Sequence, residues 1–219
     1  SIDDLVDFTP EIRAMAVEAV QDFTLGPIFT PPLQTVDGVT QGTIQRPAID
    51  GGANWGGAGV DPETGILYVP SQNRSSVLHF YSPDPDTTGA TMTITQAAFG
   101  SGRQPALPQG LPLFKPPYSR MTAVDLNVGE NAWMQPNGDG NRLRNHPMLR
   151  DLDLPPLGGD GRGGPLITKT LLVSALTAGG TDDGPRLVAR DKGTGEIVGS
   201  VDLPSGAIGT PMTYMVDGR

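Results

Sequence analysis

The chain contains no cysteine. Disulfides, thiolate metal sites and cysteine nucleophiles are therefore excluded, while the redox compartment stays open. Histidine is nearly absent too. His79 and His146 are the only two, and neither has a partner at ligand spacing, so a histidine metal centre is not indicated. Positive charge is scarce, with 15 Lys and Arg against 24 Asp and Glu and a net charge of −9. That balance argues against a nucleic-acid binder working through a basic footprint and against docking on anionic membranes. Long apolar runs are missing as well. The best stretch, 165–176, carries Lys169 and falls well short of the roughly 20 residues of a spanning helix. No signal-like segment follows Ser1; if the full protein is exported, its address is expected upstream.

What is abundant is glycine and proline. The 30 Gly and 22 Pro make up about a quarter of the chain, twice the usual share of roughly 12%. With 37% hydrophobic residues there is still enough for a core. The expected class is all-β, with many short strands and turns.

One segment has helical character. Thr9 suits an N-cap, Pro10 the first helical position and Glu11 the positive end of the dipole. Ile12, Met15, Ala16, Ala19, Val20 and Phe23 then share one face at helical spacing, until Gly26-Pro27 stops the run. From about Gly38 the pattern changes to hairpins. Strand pairs are expected at 54–70, 121–133, 165–176 and 186–203, with a further strand at 210–216 before Asp217-Gly218. The turn unit Asp-x-x-x-Gly recurs at Asp61, Asp125 and Asp191, 64 and 66 residues apart. Asp bonds its own downstream amides and Gly supplies positive φ, so recurring hairpins of this kind suggest a propeller of four-stranded sheets. Two long Pro/Gly-rich insertions, 82–120 and 136–164, separate them. A terminal hairpin turn with no return strand would leave an open edge, and a strand partner is expected beyond Arg219.

The run Asp50-Gly51-Gly52-Ala53-Asn54-Trp55-Gly56-Gly57, followed by Asp61-Pro62-Glu63-Thr64-Gly65, resembles the pyrroloquinoline-quinone (PQQ) dependent dehydrogenases, and within them the membrane glucose dehydrogenase-like quinoproteins. Met121 to Asp125, with Gly129 and Trp133, is similar to that family's tryptophan docking motif, Ala-x-Asp-x-x-x-Gly-x-x-x-Trp. Leu187 to Asp191, through Gly195 and Glu196, resembles a second copy in which Gly199 stands at the Trp position. The segments 209–214 and 7–32 are also similar to family segments, in order.

The resemblance implies a partial β-propeller, about two to three four-stranded antiparallel blades of an eight-bladed ring, with one N-terminal helix. The expected organisation is a single domain over 1–219. It comprises a helix and extended lead-in at 1–37, a blade with a long insertion at 38–136, a loop at 137–164, a blade at 165–204 and the start of a truncated blade at 205–219. The activity implied is oxidation of an alcohol or aldose sugar in the periplasm, with electrons passed to a quinone. PQQ and Ca²⁺ are implied for the parent enzyme, with neither bound by this stretch alone. The catalytic Asp, the Ca²⁺ ligands and the key Lys are implied to lie upstream of Ser1, so no catalytic or metal residue is assigned and this stretch alone is expected to be inactive.

Asn54 and Trp55 are the cofactor-binding candidates. Asn54 can donate and accept, and Trp55 offers an N–H and a π face. Gly51, Gly52, Gly56 and Gly57 would let backbone approach a ligand closely. Trp133 is expected to stack between blades. The alternative is a non-catalytic blade module, a binding scaffold or one that self-associates through exposed blade edges. Gly159–Gly164 matches G-x-G-x-x-G but runs into Pro165 and a strand, so no helix N-terminus is expected there to hold phosphate. Asp84-Pro85-Asp86 is too poor in ligands for a Ca²⁺ loop.

Overall fold

The computed structural model describes residues 1–36, 38–82, 84–89, 94–98, 105, 107–159, 161–177 and 184–217. In chain order, α1 is Pro10–Ala19, β1 Thr43–Gln45, β2 Gly59–Asp61, β3 Ile66–Gln72 and β4 Ser76–Tyr81. Then follow α2 (Pro85–Thr88), β5 (Ile94–Ala98), β6 (Ser119–Asp125), β7 (Glu130–Pro136) and α3 (Asn141–Arg144). The chain continues through β8 (Leu166–Ile167), β9 (Leu171–Leu176), β10 (Arg186–Asp191) and β11 (Ile197–Asp202). It divides into two compact units, one made of Ser1–Gly51 with Asn73–Lys115 and the other of Gly52–Gln72 with Pro116–Arg219.

The first unit holds α1 and a three-stranded antiparallel sheet in the order β1-β4-β5. Thr9 caps α1 by accepting the Ile12 amide on its hydroxyl (3.2 Å). Ile12, Ala16 and Val20 form the buried stripe. The helix ends at Ala19 rather than running to Phe23, because Val20 leaves helical geometry at ψ 1°. Leu5 and Val6 run beside Leu113 and Phe114, and the Val6 amide donates to the Leu113 carbonyl (2.9 Å). Asp84 is the N-cap of α2, accepting the Asp86 amide, which is the structural use of that acidic pair.

The second unit holds two four-stranded antiparallel sheets, β2-β3-β6-β7 and β8-β9-β10-β11. Each follows chain order, with the stretch 73–115 inserted between β3 and β6 of the first. The two sheets pack face to face. Tyr68, Met121 and Ala123 of the first meet Leu172 of the second in one buried cluster, with Ile66, Trp133 and Ile167 packed against it. These are two blades of a partial propeller, and the all-β class is as expected.

The three Asp-x-x-x-Gly turns share one geometry. The amides of Gly65, Gly129 and Gly195 donate to the carbonyls of Asp61, Asp125 and Asp191 at 2.8, 2.8 and 2.9 Å. In each, the Asp carboxylate accepts the amide two residues on, and the glycine sits at φ 73°, 77° and 73°. They occupy different places, however. The first joins β2 to β3, while the other two join the third and fourth strands of their sheets. The structural repeat is therefore the 66-residue one. It extends to detail: both ladders carry a bulge at the same point, after Ala123 and after Ala189.

The stretch 137–164 contributes buried side chains of its own. Leu149 and Leu157 are fully buried, and the Tyr118 amide donates to the Leu157 carbonyl (2.8 Å). Residues 210–216, expected as a strand, form none. Strand geometry needs a ladder partner, and none of the described residues supplies one. Residues 218–219 of the expected terminal turn lie outside the described residues.

Candidate functional site

Trp55 is 98% exposed. It stands on a turn at 54–57 that leads into β2, the first strand of its sheet. The turn closes through the Gly57 amide donating to the Asn54 carbonyl (2.8 Å), with Gly57 at φ 72°. The Asn54 side chain accepts the Trp55 amide on Oδ1 (2.9 Å). This bond reaches only the next residue, shorter than the two-residue reach of an Asx turn, and ties the Asn54 side chain to the backbone that carries the indole.

The turn is braced from behind by the run before β8. The Gly52 carbonyl accepts from the Arg162 guanidinium (3.1 Å) and from the Gln72 amide (3.0 Å). The Gly56 carbonyl accepts from the Thr210 hydroxyl (3.2 Å). A Cβ at Gly56 would lie 2.6 Å from the Arg162 carbonyl oxygen, so the two backbones approach at a separation only glycine permits. The Gly159–Gly164 run thus serves as a backbone support; Asp160 within it lies outside the described residues.

The sheet interface carries charged and polar groups that no local sequence signal revealed. The Trp133 indole N–H donates to the Lys192 carbonyl (2.9 Å), and its ring lies against Gly195, where a Cβ would be 2.6 Å from Cε3. Tyr68 donates its hydroxyl to the same carbonyl (3.3 Å). Trp133 therefore docks one sheet on the turn of the next, as expected. The Lys192 ammonium reaches Asp61 Oδ2 at 2.6 Å, with both side chains largely buried. That hydrogen bond, with those from Thr64 and the Glu63 amide, holds the Asp61 carboxyl below the ordinary range against the opposing effect of its desolvation. Arg190 is fully buried and donates to the carbonyls of Gly195 (2.8 Å) and Pro136 (3.2 Å) and to Asn137 Oδ1 (3.3 Å). Burial lowers its pKa to about 10. His79 and His146 are buried. Among the described residues no three His, Asp or Glu side chains are grouped to hold a metal ion.

The first unit has a cleft of about 870 Å³ whose walls include Leu25, Ile28, Ile44, Leu78, Phe114 and Arg46. Arg46 stacks over the Phe114 ring (5.0 Å) and donates to Asn73 Oδ1 and the Lys115 carbonyl. Sequence reading gave no sign of it, because its walls come from segments far apart in the chain.

Across residues 1–219 the chain matches the PQQ family, described as the glucose/ethanol/alcohol dehydrogenase beta-propeller domain. It belongs to this PQQ dehydrogenase family. Its similarity to the glycerol dehydrogenase large subunit of Gluconobacter oxydans is 28% identity over 213 residues, covering 87% of this chain and 27% of that protein. The quinoprotein glucose dehydrogenase of Escherichia coli is 29% identical over 215 residues, covering 88% of this chain and 24% of that protein. The chain thus spans about a quarter of the length of these PQQ relatives. Among solved structures, the quinohemoprotein alcohol dehydrogenase of Comamonas testosteroni aligns with a TM-score of 0.49 and 24% identity, over 80% of this chain and 22% of that one.

Proposed function

We propose that this chain contributes part of the PQQ site of a periplasmic dehydrogenase that oxidises an alcohol or aldose and passes electrons to a quinone. The observation that carries the reading is the indole of Trp55, left in water on a braced backbone. A large aromatic side chain normally gains most by burial. Holding one outside on a glycine-bound turn makes a platform for a flat ligand. Asn54 positions that platform by fixing the Trp55 amide.

The residues present suit such a group. PQQ is planar and carries three carboxylates; the turn offers the Trp55 π face, and the Arg162 guanidinium is bonded to the Gly52 carbonyl just before that turn. When bound, PQQ supplies the ortho-quinone that accepts two electrons from the substrate carbon. This chain's share is orientation: the indole face stacks, Gly56 and Gly57 keep the backbone low, and Asn54 holds the ring's direction. The base that takes the substrate proton and the ligands for Ca²⁺ come from outside these residues, so the chain alone has no turnover.

The test is a PQQ titration of the 219-residue chain, followed by indole fluorescence and paired with a dye-linked dehydrogenase assay in Ca²⁺. Quenching is expected, and it is lost in Trp55→Phe while Trp133 still reports folding. Asn54→Ala is expected to weaken binding by a few-fold. Binding unchanged in Trp55→Phe would overturn the site, and appreciable turnover would overturn the assignment of the chemistry to other residues.

A further inference from the structure

We propose that Arg162 and Thr210 are positioning residues, a two-point clamp that aims the Trp55 indole and gives the stretch after β11 a part in ligand binding. The clamp stands on its own contacts; its service to PQQ rests on the reading of Trp55 as that group's platform. The turn at 54–57 belongs to no strand, so no ladder holds it. Its two ends present the backbone carbonyls of Gly52 and Gly56, groups that need a donor when water is excluded. Both are met by side chains from far along the chain. Arg162 donates to the Gly52 carbonyl (3.1 Å) across 110 residues, and Thr210 donates to the Gly56 carbonyl (3.2 Å) across 154. One carbonyl lies two residues before Asn54 and the other directly after Trp55. The pair, already tied to each other through Asn54 Oδ1 and the Trp55 amide, is thus gripped on either side.

The two anchors are packed against each other as well as against the turn. A Cβ on Gly164 would overlap both the Gly56 carbonyl oxygen and the Thr210 hydroxyl oxygen. A Cβ on Gly163 would lie 3.9 Å from the Gly209 carbonyl oxygen. The turn, the run 162–164 and Thr210 therefore form one cluster inside a single compact unit, at separations that glycine alone permits. The described residues 204–210 form no strand, so it is these contacts, and not a ladder, that set where Thr210 stands.

Two bonds at the ends of so short a turn act as a unit. With either one gone the backbone swings about the other, and the indole loses its direction. Each bond is an ordinary one in strength, so its loss opens the turn locally and leaves the sheets folded. The ligand would feel that opening directly. Stacking on an aromatic face depends on the angle and offset of the rings, and a platform that must first be ordered binds more weakly than one already in place.

Hydrogen exchange on the ligand-free 219-residue chain reads the clamp, and a PQQ titration followed by indole fluorescence reads its service to the ligand. Arg162→Met and Thr210→Val each remove one donor, whereas Arg162→Lys and Thr210→Ser keep one. The Gly57 amide closes the turn on the Asn54 carbonyl. Its exchange is expected to quicken at least about threefold in either donor-less variant, the scale of one net hydrogen bond. Combining the two substitutions is expected to add nothing further, because residues acting on one element are not additive. Arg162→Lys and Thr210→Ser are expected to restore the slow rate. Amides of β9 and β10 keep their wild-type rates throughout, which separates opening of the turn from loss of the fold. The dissociation constant for PQQ is expected to rise by a similar factor in the donor-less variants and to recover in the conservative ones. Unchanged Gly57 exchange in both donor-less variants, or effects that simply multiply when combined, would overturn the clamp. Faster exchange with PQQ held as tightly as by wild type would overturn its part in positioning the indole. If PQQ leaves the wild-type fluorescence unquenched, the reading of Trp55 as its platform fails instead, and the exchange rates alone decide the clamp.

Discussion

Gly129 and Gly195 occupy equivalent places in their turns, at φ 77° and 73°, but their surroundings differ. A Cβ at Gly129 meets nothing within 4 Å, whereas one at Gly195 would enter the Trp133 ring. Gly129→Ala is expected to cost about 1–2 kcal/mol, the price of left-handed backbone for a residue with a side chain. Gly195→Ala is expected to cost clearly more, because the docked indole cannot move without breaking its bond to the Lys192 carbonyl. Denaturant titration of both variants checks this; equal losses would mean that the indole is not seated on the turn. The glycine positions themselves were legible, since Asp-x-x-x-Gly states its own turn chemistry. The indole's destination was not, because its partner lies 59 residues away. Only the family's docking motif pointed to it. At Asn54 the sequence showed a polar group beside an aromatic one, but not that Oδ1 is engaged by the next amide.

At the scale of strands and turns, the two sheets of the second unit are joined by a short polar seam within an apolar interface. Asp61 and Lys192 are 131 residues apart, and no periodicity or spacing could have linked them. The Asp61 carboxyl is held below its ordinary 3.8 by Lys192. Its contribution to stability is therefore complete above that value and is lost as pH falls through the lower folded value. Asp61→Asn is expected to be less stable than wild type at neutral pH. The gap should begin to narrow as pH falls through the ordinary value of 3.8, where the unfolded chain takes up the proton, and close below the lower folded value. Thermal melts at neutral and acid pH measure the difference, and a gap independent of pH would count against the ion pair. Hairpins were the readily legible elements because each declares itself within a few residues. Residues 210–216 have the composition of a strand but no ladder partner among the described residues, and composition alone cannot supply one. The helix was legible at its start, where Thr9 and Pro10 act locally. Its end was less so, because Gly26-Pro27 marks where a helix must have stopped rather than where it does.

For the molecule as a whole, the difference between the two four-stranded sheets is one of continuity. The strands of the second follow one another in chain order with only short stretches between them, whereas β3 and β6 of the first must pair, Gln72 with Ser119, across the stretch that builds the sheet of the first unit. Closing so long a loop costs chain entropy before the ladder repays it. Topologies rich in distant pairings fold more slowly than local ones. The two sheets should therefore acquire protection at different times. In pulsed hydrogen exchange during refolding, amides of β9 and β10 are expected to become protected before those of β3 and β6; simultaneous protection would argue that the interrupted strands meet early. An insertion that leaves the finished ladder intact would then act as a clock, delaying one blade and letting its neighbour stand as the template on which the late strands condense.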